Sequence, residues 1–227
     1  MNNEGILLIN KSKGKTSFSI VSQLRKITKI RKIGHCGTLD PFATGVMVML
    51  LGKNYTKKSD QFILHDKEYE ATVTLGKVTA TYDSESEIND FSNKIPTIDE
   101  LKETLTFFQG YIYQTPPMYS AKKINGQKLY NLARKGITIE REKIKVHVET
   151  TLISYNYPQV ILHIVCTKGT YVRSIAHDLG IKLATGAYLS ALTRTRSGPF
   201  YLKDCVDQDQ FFQKNFDPLF FIKKLCP

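Results

Sequence analysis

The twelve residues Gly34-His35-Cys36-Gly37-Thr38-Leu39-Asp40-Pro41-Phe42-Ala43-Thr44-Gly45 constrain this chain more than any other stretch. Three glycines and a proline argue against a regular element there, yet Val46-Met47-Val48-Met49-Leu50-Leu51 follows at once and is apolar at every position. Such a run fits a strand buried on both faces, so the loop leads straight into a core. Asp40 precedes Pro41, which drives it out of helical backbone angles into an extended or turn conformation. One carboxylate is thereby expected at a fixed place on the rim of a sheet. By itself, Asp-Pro fits equally well an ordinary turn whose carboxylate bonds nearby amides.

A chain of 227 residues with 41% hydrophobic content can bury its own core as one domain. Its 32 Lys and Arg against 21 Asp and Glu leave a net charge of +11, which favours a polyanionic partner such as nucleic acid. Charge alone does not separate RNA from DNA or an anionic membrane. No apolar segment approaches the roughly 20 residues that cross a bilayer. The start, Met-Asn-Asn-Glu-Gly, lacks the basic residues of a signal peptide, so a soluble cytoplasmic protein is expected. Cys36, Cys166, Cys205 and Cys226 are scattered, without a Cys-x-x-Cys pair or a histidine cluster, which argues against a disulfide framework and against structural zinc.

Elements follow from periodicity. Ile6 to Ile9 reads as a short strand, and Thr16 or Ser17 caps a helix with Ile20, Val21, Leu24 and Ile27 on one face. The cluster Arg25, Lys26, Lys29, Arg31 and Lys32 then runs into the glycine-rich loop; it fits a solvated helix face and phosphate contact alike. Lys53 to Leu64 is predicted helical, and the alternation of Tyr69, Ala71, Val73 and Leu75 with Glu68, Glu70, Thr72 and Thr74 predicts a half-buried strand. Val78 to Asn93 is a polar stretch. Thr97-Ile98-Asp99-Glu100 has capping-box spacing before a helix reaching towards Gly110. Asn125-Gly126 predicts a tight turn, followed by a basic helix that Gly136 closes. Lys143 to Tyr155 and Val160 to Thr167 are predicted strands, and Thr170 a cap for a helix burying Val172, Ile175, Ala176 and Leu179. Arg173 falls off that stripe, at a helix start where the dipole disfavours a cation unless a carboxylate offsets it. Tyr188 to Gly198 gives the last strand, with a basic edge. Strands and helices mix without regular βαβ alternation, which predicts an α+β domain on a largely antiparallel central sheet.

Several of these stretches carry more than local structure. Gly-His-x-Gly-Thr-Leu-Asp-Pro-x-Ala-Thr-Gly around Asp40 resembles the signature loop of the tRNA pseudouridine synthase B family (TruB type). Lys67-Glu68-Tyr69 resembles that family's second motif, and Lys168-Gly169-Thr170-Tyr171-Val172-Arg173 its third. Pro116-Pro117-Met118-Tyr119-Ser120-Ala121-Lys122-Lys123 resembles its Pro-x-Tyr-Ser-Ala-x-Lys run. The resemblance covers about residues 5 to 200. Departures are Ser12 where the family has proline, Cys36 where it has threonine or serine, and Ala80 where it has an acidic residue.

The resemblance implies the pseudouridine synthase fold, with helices flanking the sheet and a thumb of hairpin and helix at about residues 115–140 that grips RNA. It implies a catalytic domain over 1–200; the 27 residues after it are too few for the family's C-terminal PUA domain and are expected to pack on the main body as a tail. The implied reaction converts uridine-55 in the T-loop of tRNA to pseudouridine after the base is flipped from its stack. Asp40 is then the nucleophile, Arg173 its ion-pair partner, and Tyr69 both a stacking platform and a proton acceptor. His35, Tyr171 and Leu192 contact the displaced nucleotide, and Lys122, Lys123, Lys128 and Arg134 the RNA backbone. No cofactor and no metal is called for, and the expected partner is the T-arm of tRNA, bound by a monomer. Other readings are a glycosidase, which usually needs a second carboxylate, a non-catalytic tRNA-folding chaperone, and a synthase for a different RNA.

Overall fold

The structure, a computed structural model, describes residues 4–120, 122–124, 126–213 and 216–224. In chain order its elements begin with β1 (Gly5–Lys11), α1 (Ser17–Thr28), β2 (Ile33–His35), β3 (Thr44–Leu51), α2 (Lys53–Thr56), α3 (Ser59–Ile63) and β4 (Lys67–Leu75). There follow β5 (Lys77–Thr79), β6 (Ile88–Asp90), α4 (Ile98–Leu105), β7 (Gly110–Gln114), β8 (Lys123–Ile124), β9 (Gln127–Lys128) and α5 (Leu129–Ala133). The chain continues with β10 (Ile144–Asn156), β11 (Gln159–Cys166), α6 (Val172–Lys182), β12 (Ala187–Ser197), β13 (Phe200–Tyr201) and β14 (Val206–Asp207). The fold is mixed α+β with a central, mostly antiparallel sheet.

The chain divides into two units, residues 1–69 with 192–227 and residues 70–191. In the first, strands lie in the order β14, β1, β3, β12, with β2 on β3 and β13 on β12. β1 and β3 run antiparallel, pairing Ile6 with Leu50 and Ile9 with Met47, while β3 meets β12 in parallel at Thr44 and Thr193. Seven of the eight β3 residues are buried, as the unbroken apolar run requires. Thr16 caps α1, its hydroxyl accepting from Ser19 N, and the helix buries Ile20, Val21 and Leu24. The free edge of β1 is covered from the C-terminal side: Val206 lies beside Ile9, and Lys223 exchanges both backbone hydrogen bonds with Ile6.

In the second unit the order is β12, β4, β11, β10, β7. β10 is antiparallel to both neighbours, and α4 packs on it. The capping box at α4 is complete, with Thr97 Oγ1 accepting from Glu100 N and Glu100 Oε2 accepting from Thr97 N.

Three expectations need correction. The helix predicted over Lys53–Leu64 is two short helices, because Lys57-Lys58-Ser59-Asp60 offers no apolar side chain to hold a continuous one to the core. The polar stretch from Val78 holds a small hairpin, β5 with β6, built without the alternation that announces a strand. Thr170 does not cap α6: its hydroxyl donates to Thr167 O, and the Tyr171 N–H is satisfied instead by Gln114 Oε1 at 2.7 Å. Asn125 of the predicted turn lies outside the described residues.

Gly45 fixes how close β3 and β12 come. Its φ is +102°, and a Cβ there would lie 2.3 Å from Arg194 O. Gly45→Ala is therefore expected to destabilise the protein by roughly 3 kcal/mol or more, read as a shift in the urea unfolding midpoint.

Candidate active site

In the first unit the Asp40 loop is fastened from behind by cations that are themselves buried. Lys11, at the end of β1, is fully buried, and its Nζ donates to Ser12 O at 3.0 Å, Lys15 O at 2.7 Å and Pro41 O at 3.0 Å. All three ammonium protons find carbonyls, which is what makes a buried lysine tolerable. Ser17 Oγ donates to Leu39 O and accepts from Leu39 N, both at 3.0 Å, so the residues on either side of Asp40 are tied down. Arg194 on β12 is 1% exposed; its Nε donates to Val46 O at 2.7 Å and its Nη2 to Gly37 O at 3.2 Å. Ala43 N donates to Asp40 O, closing the turn around Pro41. Asp40 itself is half-buried.

His35 and Cys36 enter the same loop. Burial lowers the His35 pKa, Arg194 lowers it further, and the Gly37 backbone opposes them, so the imidazole is neutral at pH 7. Cys36 is fully buried, its N–H bonded to Val48 O and its thiol pushed up to about 11, chiefly by burial. It is a packing residue, inert as a nucleophile. Leu192 lies at the loop's far end, where Thr44 Oγ1 bonds Leu192 O and Thr193 Oγ1. Tyr69 is buried on β4.

In the second unit Arg173 is only 5% exposed, although its position in α6 put it off the apolar stripe. The partner that makes this possible is Asp83, 1% exposed, whose Oδ2 is 3.3 Å from Nη1. Nη1 also donates to Thr81 O at 3.1 Å, and Nη2 to Tyr119 O at 2.9 Å. Asp83 Oδ1 accepts in turn from Thr81 Oγ1 and Glu85 N. Tyr82 takes a left-handed backbone, φ +63°, which lets its ring stack on His177 of α6 at 3.9 Å while its neighbours turn inward. In the sequence Val78 to Asn93 read as a polar stretch, with no role for Asp83; two threonines at alternate positions before the acid were the available signal.

The base of the thumb is bound to the start of α6 at several points. Gln114 clamps the Tyr171 peptide with both ends of its amide, Ser174 Oγ donates to Thr115 O, and Tyr119 O takes Arg173. Ser120 O accepts from Tyr130 N at the start of α5, where the Arg134 guanidinium lies 5.6 Å from the Tyr130 ring centre. Lys122 is half-buried, and Lys123 and Lys128 fall on the paired strands β8 and β9. The structure thus gathers Asp40, His35 and Leu192 in one unit with Tyr69, and Arg173, Tyr171 and the thumb in the other.

Among the described residues no group of His, Cys, Asp and Glu could hold a metal ion, and no helix is long and apolar enough to cross a membrane.

Known proteins resemble this arrangement. A chain of a crystallised Cbf5-Nop10-Gar1 complex superimposes with a TM-score of 0.72 at 26% identity, over 96% of this chain and 58% of that one. An H/ACA ribonucleoprotein bound to a substrate RNA shares the fold, with a TM-score of 0.69 at 24% identity over 96% of this chain and 58% of its own. The class is that of the pseudouridine synthases. Residues 25–172 match the TruB family pseudouridylate synthase N-terminal domain, and residues 173–216 the tRNA pseudouridylate synthase B C-terminal domain. The tRNA pseudouridine synthase B of Protochlamydia amoebophila is 61% identical over 90% of this chain and 78% of its own length. That of Chlamydia muridarum is 50% identical over 94% and 89%. The chain belongs to the TruB family of pseudouridylate synthases.

Removing the carboxylate of Asp83 takes an ion pair from a buried guanidinium. Asp83→Ala is expected to cost about 3–5 kcal/mol of stability, measured by urea unfolding. On the same helix, burial pushes the Asp178 carboxyl up to about 6, against the pull of Lys182 and Lys143. A carboxyl raised on folding binds more protons folded than unfolded, so its contribution is most favourable below the ordinary carboxylate range and is lost as pH rises through about 6. Asp178→Asn is therefore expected to raise the melting temperature at pH 7 and to leave it unchanged near pH 4.

Proposed function

We propose that this chain is a tRNA pseudouridine synthase that isomerises uridine-55 of the T-loop. The observation that carries this reading is the Asp40 loop, a carboxylate on a turn whose flanking carbonyls are held by buried Lys11 and Arg194, in a chain of this family. Fixed positive charge behind the loop favours an ionised, immobile carboxylate. In the reaction Asp40 attacks C6 of the uracil or C1′ of the ribose; the N1 to C1′ bond breaks, the base turns, C5 bonds to C1′, the bond to Asp40 breaks, and the proton lost from C5 is balanced by one gained at N1. Nothing is oxidised and no group is imported, so the chemistry needs no cofactor.

Arg173 balances the charge of Asp40 as a planar, two-pronged partner. Its three protein acceptors hold it in one orientation beforehand. Tyr69 stacks on the base and takes the final proton. Tyr171 and Leu192 line the base, and His35, neutral and half-buried, fills the space that the flipped base leaves. The thumb, through Lys122, Lys123, Lys128 and Arg134, grips the T-arm. We assign catalysis to residues 1–200 and a supporting role to 201–227, in which Val206 and Lys223 lie against the edge of β1. The enzyme acts as a cytoplasmic monomer.

The test is release of tritium from C5 of uridine in an unmodified tRNA transcript, without added metal or cofactor, for wild type beside Asp40→Asn. Release by wild type alone, confined to the T-loop, is the expected result, with tRNA affinity of the variant within a few-fold of wild type. Turnover by Asp40→Asn would remove the nucleophile assignment. Tight tRNA binding without any release would favour the folding-chaperone reading, and free uracil in place of pseudouridine the glycosidase.

A further inference from the structure

The strands that carry the thumb leave one face of the sheet bare at its edge. β7 is the last strand of the order, and among the described residues none pairs with its outer side. Its side chains alternate: Gln114 turns inward to clamp α6, while Tyr111 and Tyr113 point outward and are 72% and 68% exposed. Across the register Tyr111 faces His147 and Tyr113 faces Lys145. Lys145 Nζ lies 4.7 Å from the Tyr111 ring centre, and the His147 ring meets Tyr111 edge-on at 4.9 Å. His147 is next to Thr167, through backbone N–H groups on both sides, and exposed Lys168 follows Thr167 in the chain, at the head of the loop that leads into α6. Glu149 is the acid on this face of β10, beyond His147 on the side away from the thumb.

Two large aromatic rings left in water on one strand, with cations beside them, have a use only when something covers them. A second copy of this chain is a poor occupant, because each copy carries +11 and this end of the face is itself basic. An RNA supplies what both halves of the surface lack, flat bases for the rings and phosphates for the lysines. The tyrosines stand on β7, which runs into the thumb, and Lys145 on β10, which follows it, so RNA held by the thumb passes this edge.

We propose that Tyr111 and Tyr113, with Lys145 and Lys168, form an RNA platform at the root of the thumb, on which unpaired bases of the tRNA stack while their phosphates meet the lysines. The proposal rests on the reading that tRNA is the substrate, but binding tests it without turnover. Lys145 over Tyr111 already fixes one ring, so the platform is set before RNA arrives.

Binding of an unmodified tRNA transcript is to be measured by fluorescence anisotropy at constant ionic strength. Two pairs of substitutions are compared with wild type, Tyr111→Ala with Tyr113→Ala and Tyr111→Phe with Tyr113→Phe. The alanine pair is expected to weaken binding about tenfold or more, and the phenylalanine pair, which keeps both rings, to stay within about twofold. Lys145→Gln, which leaves both tyrosines, is expected to lower the slope of log affinity against log salt by about one. An alanine pair that binds tRNA within about twofold of wild type overturns the platform, as does an equal loss in the phenylalanine pair. Sedimentation showing a wild-type dimer that the alanine pair dissolves would assign the face to a second copy instead. If wild type releases no tritium and yet the alanine pair alone loses affinity, the isomerase reading falls and the platform stands.

Discussion

Two cations without bulk water hold the Asp40 loop of the first unit. Lys11 and Arg194 are buried to within 1% of complete, and each donates to backbone carbonyls of the loop that carries Asp40 or of the strand that follows it. A charge in that position is costly unless every proton is matched. Two of the matching groups, Pro41 O and Gly37 O, are carbonyls of an irregular segment that has no ladder of its own to satisfy them, and Ser12 O, Lys15 O and Val46 O complete the set. Each side therefore requires the other: the loop gives the cations their acceptors, and the cations give the loop one conformation. Hydrogen bonds to charged groups contribute about 1.5–3 kcal/mol each, enough for a few of them to fix a glycine-rich turn.

The same device recurs in the second unit with a different chemistry. Arg173 is held by one carboxylate and two carbonyls, drawn from the segment at 81–83 and from the thumb base. The guanidinium fork uses its planarity, since Nη1 and Nη2 serve different segments of chain at once. Both candidate catalytic groups, the carboxylate on its loop and the arginine on its helix, are thus set in position by buried ionic contacts before any RNA is present. In a reaction whose chemistry is a rearrangement within one nucleotide, positioning and electrostatics are most of what a protein can supply.

Much of this was legible in the sequence wherever a local pattern had one physical solution. The apolar run Val46–Leu51 had to be a buried strand, the Thr97–Glu100 spacing had to cap a helix, and the alternation from Tyr69 to Leu75 had to face a core on one side. What escaped depended on partners distant in the chain. Thr170 was the local candidate to cap α6, but its hydroxyl turns back to Thr167 O, and Gln114, 57 residues away from Tyr171, holds the peptide at the helix start. Arg173 looked solvent-facing by helical phase, and its burial rests on Asp83 and Tyr119, which no periodicity connects to it. Lys11 stands in a basic run of the sequence, where nothing local announces a lysine with three carbonyl partners.

That division has a consequence for how the family's chemistry tolerates change. The sequence resemblance implies a hydroxyl residue at position 36, but the side chain of Cys36 is buried and its backbone N–H is already spent on Val48 O. The position asks for a small side chain and no particular chemistry. At Gly45 the requirement is reversed: the backbone conformation and the approach of Arg194 leave no room for any Cβ. Of these two loop positions, the one fixed by backbone geometry admits a single residue, while the one fixed only by volume admits several. The signature is therefore best read as the set of residues that lets a loop accept hydrogen bonds from two buried cations, with Asp40 the one side chain that the construction presents.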